Sequence, residues 1–226
     1  MKEPHSIINH NIYVFWTGDN ELTQTRIICL EQLRNITECN VILITKDNLN
    51  DYILTEHPLH ELYNYLSFTH RTDYLRTYFM HFYGGGYSDL KIPTGSWKQA
   101  FDDILQDEDI LINGYHELPG YNLNGYIGNG AYIVRPNTKF TKEWYEKILQ
   151  KMDEKLPKFK ELGAIYSLNP KPAQEFDVNY PINWEELLGN IFRSVLPKFI
   201  ETKQILYSVP IPNLEFWSYR DDWVWT

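Results

Sequence analysis

Apolar residues in the first half of the chain fall into two kinds of run, and the two kinds alternate. Ile7 to Trp16 ends in the uninterrupted stretch Ile12-Tyr13-Val14-Phe15-Trp16, rich in β-branched and aromatic residues, and Thr17-Gly18-Asp19 breaks it. This is the pattern of a strand closed by a turn. From Glu21 to Asn35 the apolar positions Leu22, Ile27, Leu30 and Leu33 recur at helical spacing. Val41 to Thr45 is again continuous, as expected of a parallel strand covered on both faces. Strand, helix and strand in succession predict a βαβ unit with the usual right-handed crossover. A loop and helix from Asn48 to Phe68 lead on to the centre of the chain.

That centre, Arg71 to Ile92, changes character halfway. Tyr74, Leu75, Tyr78, Phe79 and Phe82 have the spacing of a buried helix face from Arg71 to Tyr83. Gly84, Gly85 and Gly86 then stop the helix, since glycine accepts the positive φ of a helix C-terminus. Tyr87 to Ile92 alternates like a short strand, and Pro93 ends it. Asp89 is thereby delivered near a strand end by a glycine hinge. Each part also has a plainer explanation. Asp73 and Arg76, three apart on a helix, would serve equally as a surface ion pair, the glycines as a simple cap, and Asp89 as a turn residue. It is their order, Asp-x-x-Arg, then Gly-Gly, then Tyr-x-Asp, that points to chemistry.

Beyond Pro93 the pattern predicts a helix from Ser96 to Leu105 and a strand from Ile110 to Asn113. A loop of Gly, Asn and Tyr follows from Gly114 to Gly125, then a strand from Ile127 to Val134 containing Gly128 and Gly130. A long helix runs from Thr138 to Leu156 with Asn137 or Thr138 as its cap. Pro157 to Pro181 reads as irregular and Trp184 to Leu196 as helical. The tail from Ile205 carries Trp217, Trp223 and Trp225. With no repeat and no linker, residues 1–226 read as one α/β domain, a mostly parallel central sheet flanked by helices. Ligands of such sheets bind beyond the C-terminal ends of the strands. The ends Trp16-Thr17-Gly18, Asp89-Leu90-Lys91 and Asn129-Gly130 are therefore expected to converge.

Charge and composition narrow the function. The net charge of −9 argues against nucleic acid, whose phosphates require a basic face. Cys29 and Cys39 have no metal-ligand spacing and read as core thiols. His81 and His116 read as histidines satisfied by their surroundings. No stretch approaches the length of a membrane span, and the polar start of the chain lacks the form of a signal peptide. The expected location is cytoplasmic.

The central stretch resembles the signature of the sugar transferases with a DxD motif, the glycosyltransferase family 32 and capsular-polysaccharide group. Their pattern runs S-D-x-x-R-x-x-x-L-x-x-x-G-G-x-Y-x-D-x-D, and Thr72, Asp73, Arg76, Met80, Gly84, Gly85, Tyr87 and Asp89 follow it in order. One extra residue lies in the glycine run, and Lys91 stands where the second aspartate belongs. Tyr180-Pro181-Ile182-Asn183-Trp184 is similar, more weakly, to a segment of the polysaccharide group, and a chlorella-virus glycosyltransferase domain of similar size shares the general pattern.

The resemblance implies a GT-A-like fold and transfer of a sugar from a nucleoside diphosphate donor, UDP in first place, to a glycan or other hydroxyl acceptor with retention of configuration. It places Trp16, Thr17 and Gly18 at the base, Asp73, Arg76 and Tyr87 on the donor, and Asp89 on ribose or on a metal. A divalent cation, Mn²⁺ or Mg²⁺, would stabilise the leaving diphosphate. Because of Lys91 its second ligand is open, with Asp221 or Asp222 as candidates, or Lys91 itself replaces part of its charge. Asn129 is either a sugar contact or a turn asparagine. Two other classes stay open: an inactive sugar- or nucleotide-binding module, and a metal-assisted phosphate hydrolase using Asp102-Asp103 or Asp221-Asp222.

Overall fold

The computed structural model describes residues 8, 10–116, 125–163 and 180–213. Strands β1 (Asn11–Trp16), β2 (Asn40–Thr45), β3 (Gly85–Ser88), β4 (Ile112–His116), β5 (Ile127–Val134) and β6 (Ile205–Leu206) form one sheet in the order β2-β1-β3-β5-β4-β6. Helices α1 (Gln24–Ile36) and α3 (Lys98–Gln106) accompany one face. On the other lie α2 (Phe68–Phe82), α4 (Lys139–Leu162) and α5 (Gly189–Glu201).

Covering both faces explains the unbroken apolar run of β1. Tyr13 and Phe15 enter the core beneath α2, whereas Ile12, Val14 and Trp16 enter the core beneath α1 and α3. In β5 the same alternation sends Tyr132 and Val134 to one side and Ala131 and Ile133 to the other. The equally apolar β2 is different. Among the described residues it pairs with β1 alone, at the sheet edge, and only Val41 and Ile44 of its residues are buried. A continuous apolar run was therefore a sound sign of a strand but not of a central one.

The sheet is mostly, not wholly, parallel. β1 runs parallel to β2 and β3, and β4 to β6, but β5 is antiparallel to both β3 and β4. This reversal matters for the site, because it sets the beginning of β5 against the end of β3.

Several boundaries differ from the sequence expectation. Helix α2 begins at Phe68, a turn earlier than expected, because the Ser67 side chain caps it by accepting from the His70 amide. Its end is as expected: Gly84, at φ +64°, donates its N–H to the Phe79 carbonyl, and a Cβ there would lie 2.8 Å from the Pro136 nitrogen. The strand after it is Gly85–Ser88, not Tyr87 to Ile92, since at Asp89 the chain turns back, with the Lys91 amide bonding to the Asp89 carbonyl. Short 3₁₀ turns, Leu49–Tyr52 and Glu61–Tyr65, replace the helix expected before α2. The first strand starts at Asn11, and the strand expected from Ile110 starts at Ile112.

Prolines misled twice. Helix α4 opens on a Thr138/Thr141 capping box and continues through Pro157 to Leu162, where Gly163 closes it at φ +61°. Interior proline removes one backbone hydrogen bond and costs about 3 kcal/mol. Burial of Met152 and Phe159 on either side offsets that loss. In the same way α5 runs through Pro197 between buried Leu196 and Phe199, and starts at Gly189, later than Trp184. Cys29 is buried, Cys39 is half-buried, and both are free thiols.

Candidate active site

Of the three segments expected to converge, Asp89 and Gly130 meet directly, inside the early part of an antiparallel β5, and the end of β1 lies along the same edge of the sheet. The register Ile12–Gly86 and Tyr13–Tyr87 sends Trp16 and Thr17 off the same edge of the sheet as Asp89. The antiparallel register Ser88–Ala131 then brings Gly130 opposite Asp89, whose amide donates to the Gly130 carbonyl at 2.8 Å. Glycine eases the close approach there. A Cβ on Gly130 would stand 3.2 Å from Asp89 Oδ2 and 3.1 Å from the Tyr115 hydroxyl, closer than side chains normally approach.

Arg76 is the hub. From the middle of α2 it reaches Asp73 Oδ1 at 3.2 Å with Nη2, and donates from Nη1 to the Asn129 carbonyl at 2.9 Å. Its guanidinium lies 4.2 Å from the centre of the Tyr87 ring, with Nη2 3.9 Å from Asp89 Oδ1. The side chains of Asp73 and Arg76 are 5% and 9% exposed, so the pair is no surface bridge. One residue each from α2, β3, the turn after β3 and β5 is thus held by a single cation. Burial pushes the Asp73 carboxyl up, to about 7, against the pull of Arg76. For Arg76 burial acts downward but is outweighed by Tyr87 and Asp73, which hold it fully charged.

Asp89 itself is enclosed by donors. Tyr87 donates its hydroxyl to Oδ1 at 2.6 Å, and Lys91 Nζ lies 2.8 Å from Oδ2. Desolvation alone would raise this carboxyl. The Lys91 and Arg76 cations, with the hydrogen bonds from Lys91 and Tyr87, more than reverse that and hold it below its ordinary value. The Asp89 and Lys91 side chains remain 28% and 19% exposed, so the cluster opens to solvent here. Buried polar atoms beside it lack protein partners: Asn129 Oδ1, Arg76 Nε and Thr72 Oγ1. Buried polar groups are nearly always paired, so these atoms mark where a ligand or ordered water would complete the hydrogen bonding.

The remaining predicted positions are distributed as follows. Trp16 and Thr17 are buried, and the Trp16 indole N–H donates to the Asn20 carbonyl at 2.7 Å. Gly18 is packed by Phe68, whose ring would lie 2.8 Å from a Cβ there. Asp221, Asp222 and the tail tryptophans lie outside the described residues. His81 shares a hydrogen bond with Thr141 and stacks on Tyr145, and His116 stacks on Tyr207 at 4.0 Å. The Tyr180–Trp184 segment is anchored on the start of α2, where buried His70 stacks on Tyr180 and shares a 2.6 Å hydrogen bond with its hydroxyl.

Sequence reasoning missed three contributors. Asn20 holds both polar atoms of its carboxamide buried and unpaired next to Gly18. Arg26 of α1 donates to the Leu90 carbonyl at 2.8 Å and so pins the turn between Asp89 and Lys91. Tyr132, fully buried on β5, packs its ring on Tyr87 at 5.4 Å. Only Asn20 left a local signal, in the polar break Thr17 to Asn20; the other two act across the fold.

For a divalent cation held by protein ligands alone the described residues are a poor fit. Among them no group of three or more His, Cys, Asp and Glu could hold one. Asp73 is engaged by Arg76, and Asp89 by Tyr87 and Lys91.

The charged cluster lies beyond the ends of β1 and β3, where α/β sheets commonly bind their ligands. More particularly, the chain belongs to the capsular polysaccharide synthesis protein family: the family model matches residues 1–119, more than half of the 226 residues, and this span contains β1 through β4 and all of the cluster except the β5 residues. Among curated proteins none matches. Among solved structures the chain is similar to PaToxG glycosyltransferase, with 11% identity and a TM-score of 0.49 over 87% of this chain and 74% of that one. Among the described residues no helix is long and apolar enough to cross a membrane.

Proposed function

We propose that the protein is a glycosyltransferase of GT-A type, moving a sugar from a nucleoside diphosphate, UDP first among the candidates, to a hydroxyl of a glycan. The observation that carries this reading is the partly open Asp89–Lys91 pair at the meeting of β1, β3 and β5, bordered by buried polar atoms without partners. In such a transfer the bond from the anomeric carbon to the phosphate oxygen breaks, and the diphosphate leaves with growing negative charge. Cationic groups held ready at that point stabilise the transition state more than the bound donor. In this reading Lys91, at the open part of the cluster, supplies that charge and Arg76 holds the residues around it. The Asn129 carboxamide, with an unpaired oxygen at the start of β5, is placed to accept from a sugar hydroxyl.

Lys91 and Arg76 hold the Asp89 carboxyl below its ordinary value, which weakens it as a general base, and Asp73, though raised to about 7, is buried against Arg76 with little access for an acceptor. This favours retention, in which the acceptor attacks on the face the phosphate leaves and its proton passes to the departing phosphate oxygen. A nucleotide-sugar screen by thermal shift tests the proposal, since a ligand at about 100 times its Kd adds about 2.7 kcal/mol of stability. Release of free sugar from the stabilising donor should follow, by leakage of the transfer to water. No stabilisation by any nucleotide or nucleotide sugar would sink the reading.

The second reading, an inactive nucleotide- or sugar-binding module, is favoured by one observation, the lysine salt-bridged to Asp89. It predicts stabilisation without hydrolysis. Of the acid pairs the hydrolase reading would use, Asp221 and Asp222 lie outside the described residues and Asp102 and Asp103 point to different surroundings. Asp103 of α3 accepts from Ser208 and Gln99, while its neighbour Asp102 is exposed.

A further inference from the structure

We infer that this site handles its diphosphate without a divalent cation, and that Lys91 both supplies the missing charge and keeps a metal off Asp89. The inference rests on the glycosyl-transfer reading and adds to it the electrostatic means by which the leaving group is stabilised.

The first argument is local geometry. A divalent cation on a carboxylate sits about 2.0 to 2.6 Å from its oxygen, depending on the ion. On Asp89 Oδ2 that position adjoins the Lys91 ammonium, 2.8 Å from the same oxygen. Oδ1 holds the Tyr87 hydroxyl at 2.6 Å and has Arg76 at 3.9 Å. Either oxygen thus presents an incoming cation with a positive neighbour, in surroundings that screen charge poorly.

The second argument is charge balance. Asp73, Arg76, Asp89 and Lys91 comprise two acids and two bases, and the cluster is neutral when all four are ionised. A metal site for diphosphate carries excess carboxylate, whose attraction offsets removal of water from the cation. Among the described residues no such excess gathers here, and no group of three or more metal-ligating side chains exists.

The third argument is that Lys91 is placed by the backbone and not by the chance reach of a long side chain. The Asp89 amide is fixed to Gly130, the Lys91 amide bonds back to the Asp89 carbonyl at 2.7 Å, and Arg26 clamps the Leu90 carbonyl between them. This tight turn sets the ammonium over the carboxylate at the mouth of the cluster. Asp89 then acts as the counter-ion that positions and desolvates Lys91, and an ammonium so held provides charge without prior metal binding.

Two binding measurements test this on the intact chain: Mn²⁺ uptake, read from the paramagnetic resonance of the free ion, and UDP binding by calorimetry in EDTA and in Mn²⁺. The wild type is expected to take up no stoichiometric Mn²⁺ and to bind UDP equally in both buffers. Lys91→Gln should bind UDP tenfold or more weakly in both, roughly the effect of losing a hydrogen bond to a charged group. Lys91→Asp, which removes the ammonium and adds a second carboxylate, should gain Mn²⁺ uptake and bind UDP only with Mn²⁺. Circular dichroism of each variant separates these results from loss of fold. Stoichiometric Mn²⁺ on the wild type, UDP binding lost in EDTA, or wild-type affinity in Lys91→Gln would each overturn the inference. Failure of the wild type to bind any nucleotide would count against glycosyl transfer instead. The Mn²⁺ uptake of wild type against Lys91→Asp would still decide whether the lysine excludes a metal.

Discussion

Helix α2 is buried on two sides, and the two are built of opposite materials. On one, Tyr74 and Tyr78 meet Tyr145 of α4, and Phe79 packs against Phe15 of β1 with ring centres 5.0 Å apart. On the other, Asp73 and Arg76 are buried almost as completely, against Tyr87 and β5. Apolar burial stabilises by about 25 cal/mol for each Å² removed from water. A buried ion pair does far less, because the loss of hydration offsets most of the mutual attraction. The aromatic side of α2 therefore contributes to folding, whereas the charged side is explained by what it positions, namely Asp89 and Asn129.

The sharpest break in this comparison comes from Arg76→Ala. It would leave Asp73 buried without its cation, destabilising the fold by about 3–5 kcal/mol. It would also release Asn129 and Asp89, lowering turnover by about a hundredfold or more. Denaturant unfolding and donor turnover should both register it; a change within about 1 kcal/mol and near-normal turnover would return the pair to a minor structural role. Phe79→Ala on the aromatic side should cost a similar 3–5 kcal/mol or so. Its turnover per folded molecule should hold, so loss of activity below the unfolding transition would blur the division between the two sides.

Asp89→Asn sharpens the contrast from the opposite direction. The shape is kept and the site is partly open, so stability should move little. Turnover should fall by about a hundredfold, equivalent to about 2.7 kcal/mol in the barrier. Full activity in this variant would mean that the active site lies elsewhere.

The smallest effect concerns pH, at the foot of α2. Burial of His70 lowers its pKa from 6.5 to about 4, so the folded chain holds it neutral where the unfolded chain would protonate it. Its contribution is fully present above pH 6.5 and is lost as pH falls toward about 4. Between pH 6.5 and about pH 5 the loss from this group should be about 2 kcal/mol. Melting curves should show it in the wild type, and His70→Gln should flatten the slope across that window; an unchanged slope would place the titration on another group.

Much of this was legible along the chain because strands and helices differ in the spacing of their buried residues, and because glycine marks positive φ. The run in β1, the stripe on α2 and the stop at Gly84 all follow from local pattern, whereas the strand read from Tyr87 to Ile92 in fact ends at Ser88, before Asp89. The family resemblance likewise rested on contiguous residues. Apolar pattern reports how much of a segment is buried, but not which partner covers it. For that reason β2 looked central yet lies at the edge, and the prolines in α4 and α5 looked like helix ends although core contacts on both sides carry the helices through. Asp73 and Arg76, three apart on a helix, have the same local signature exposed or buried. Their burial was decided by Tyr87 and by the reversal of β5, which sets Asn129 and Gly130 beside residues some forty to fifty-five positions earlier in the chain. Contacts of that range depend on the closing of the whole sheet, and only the tertiary structure could decide them.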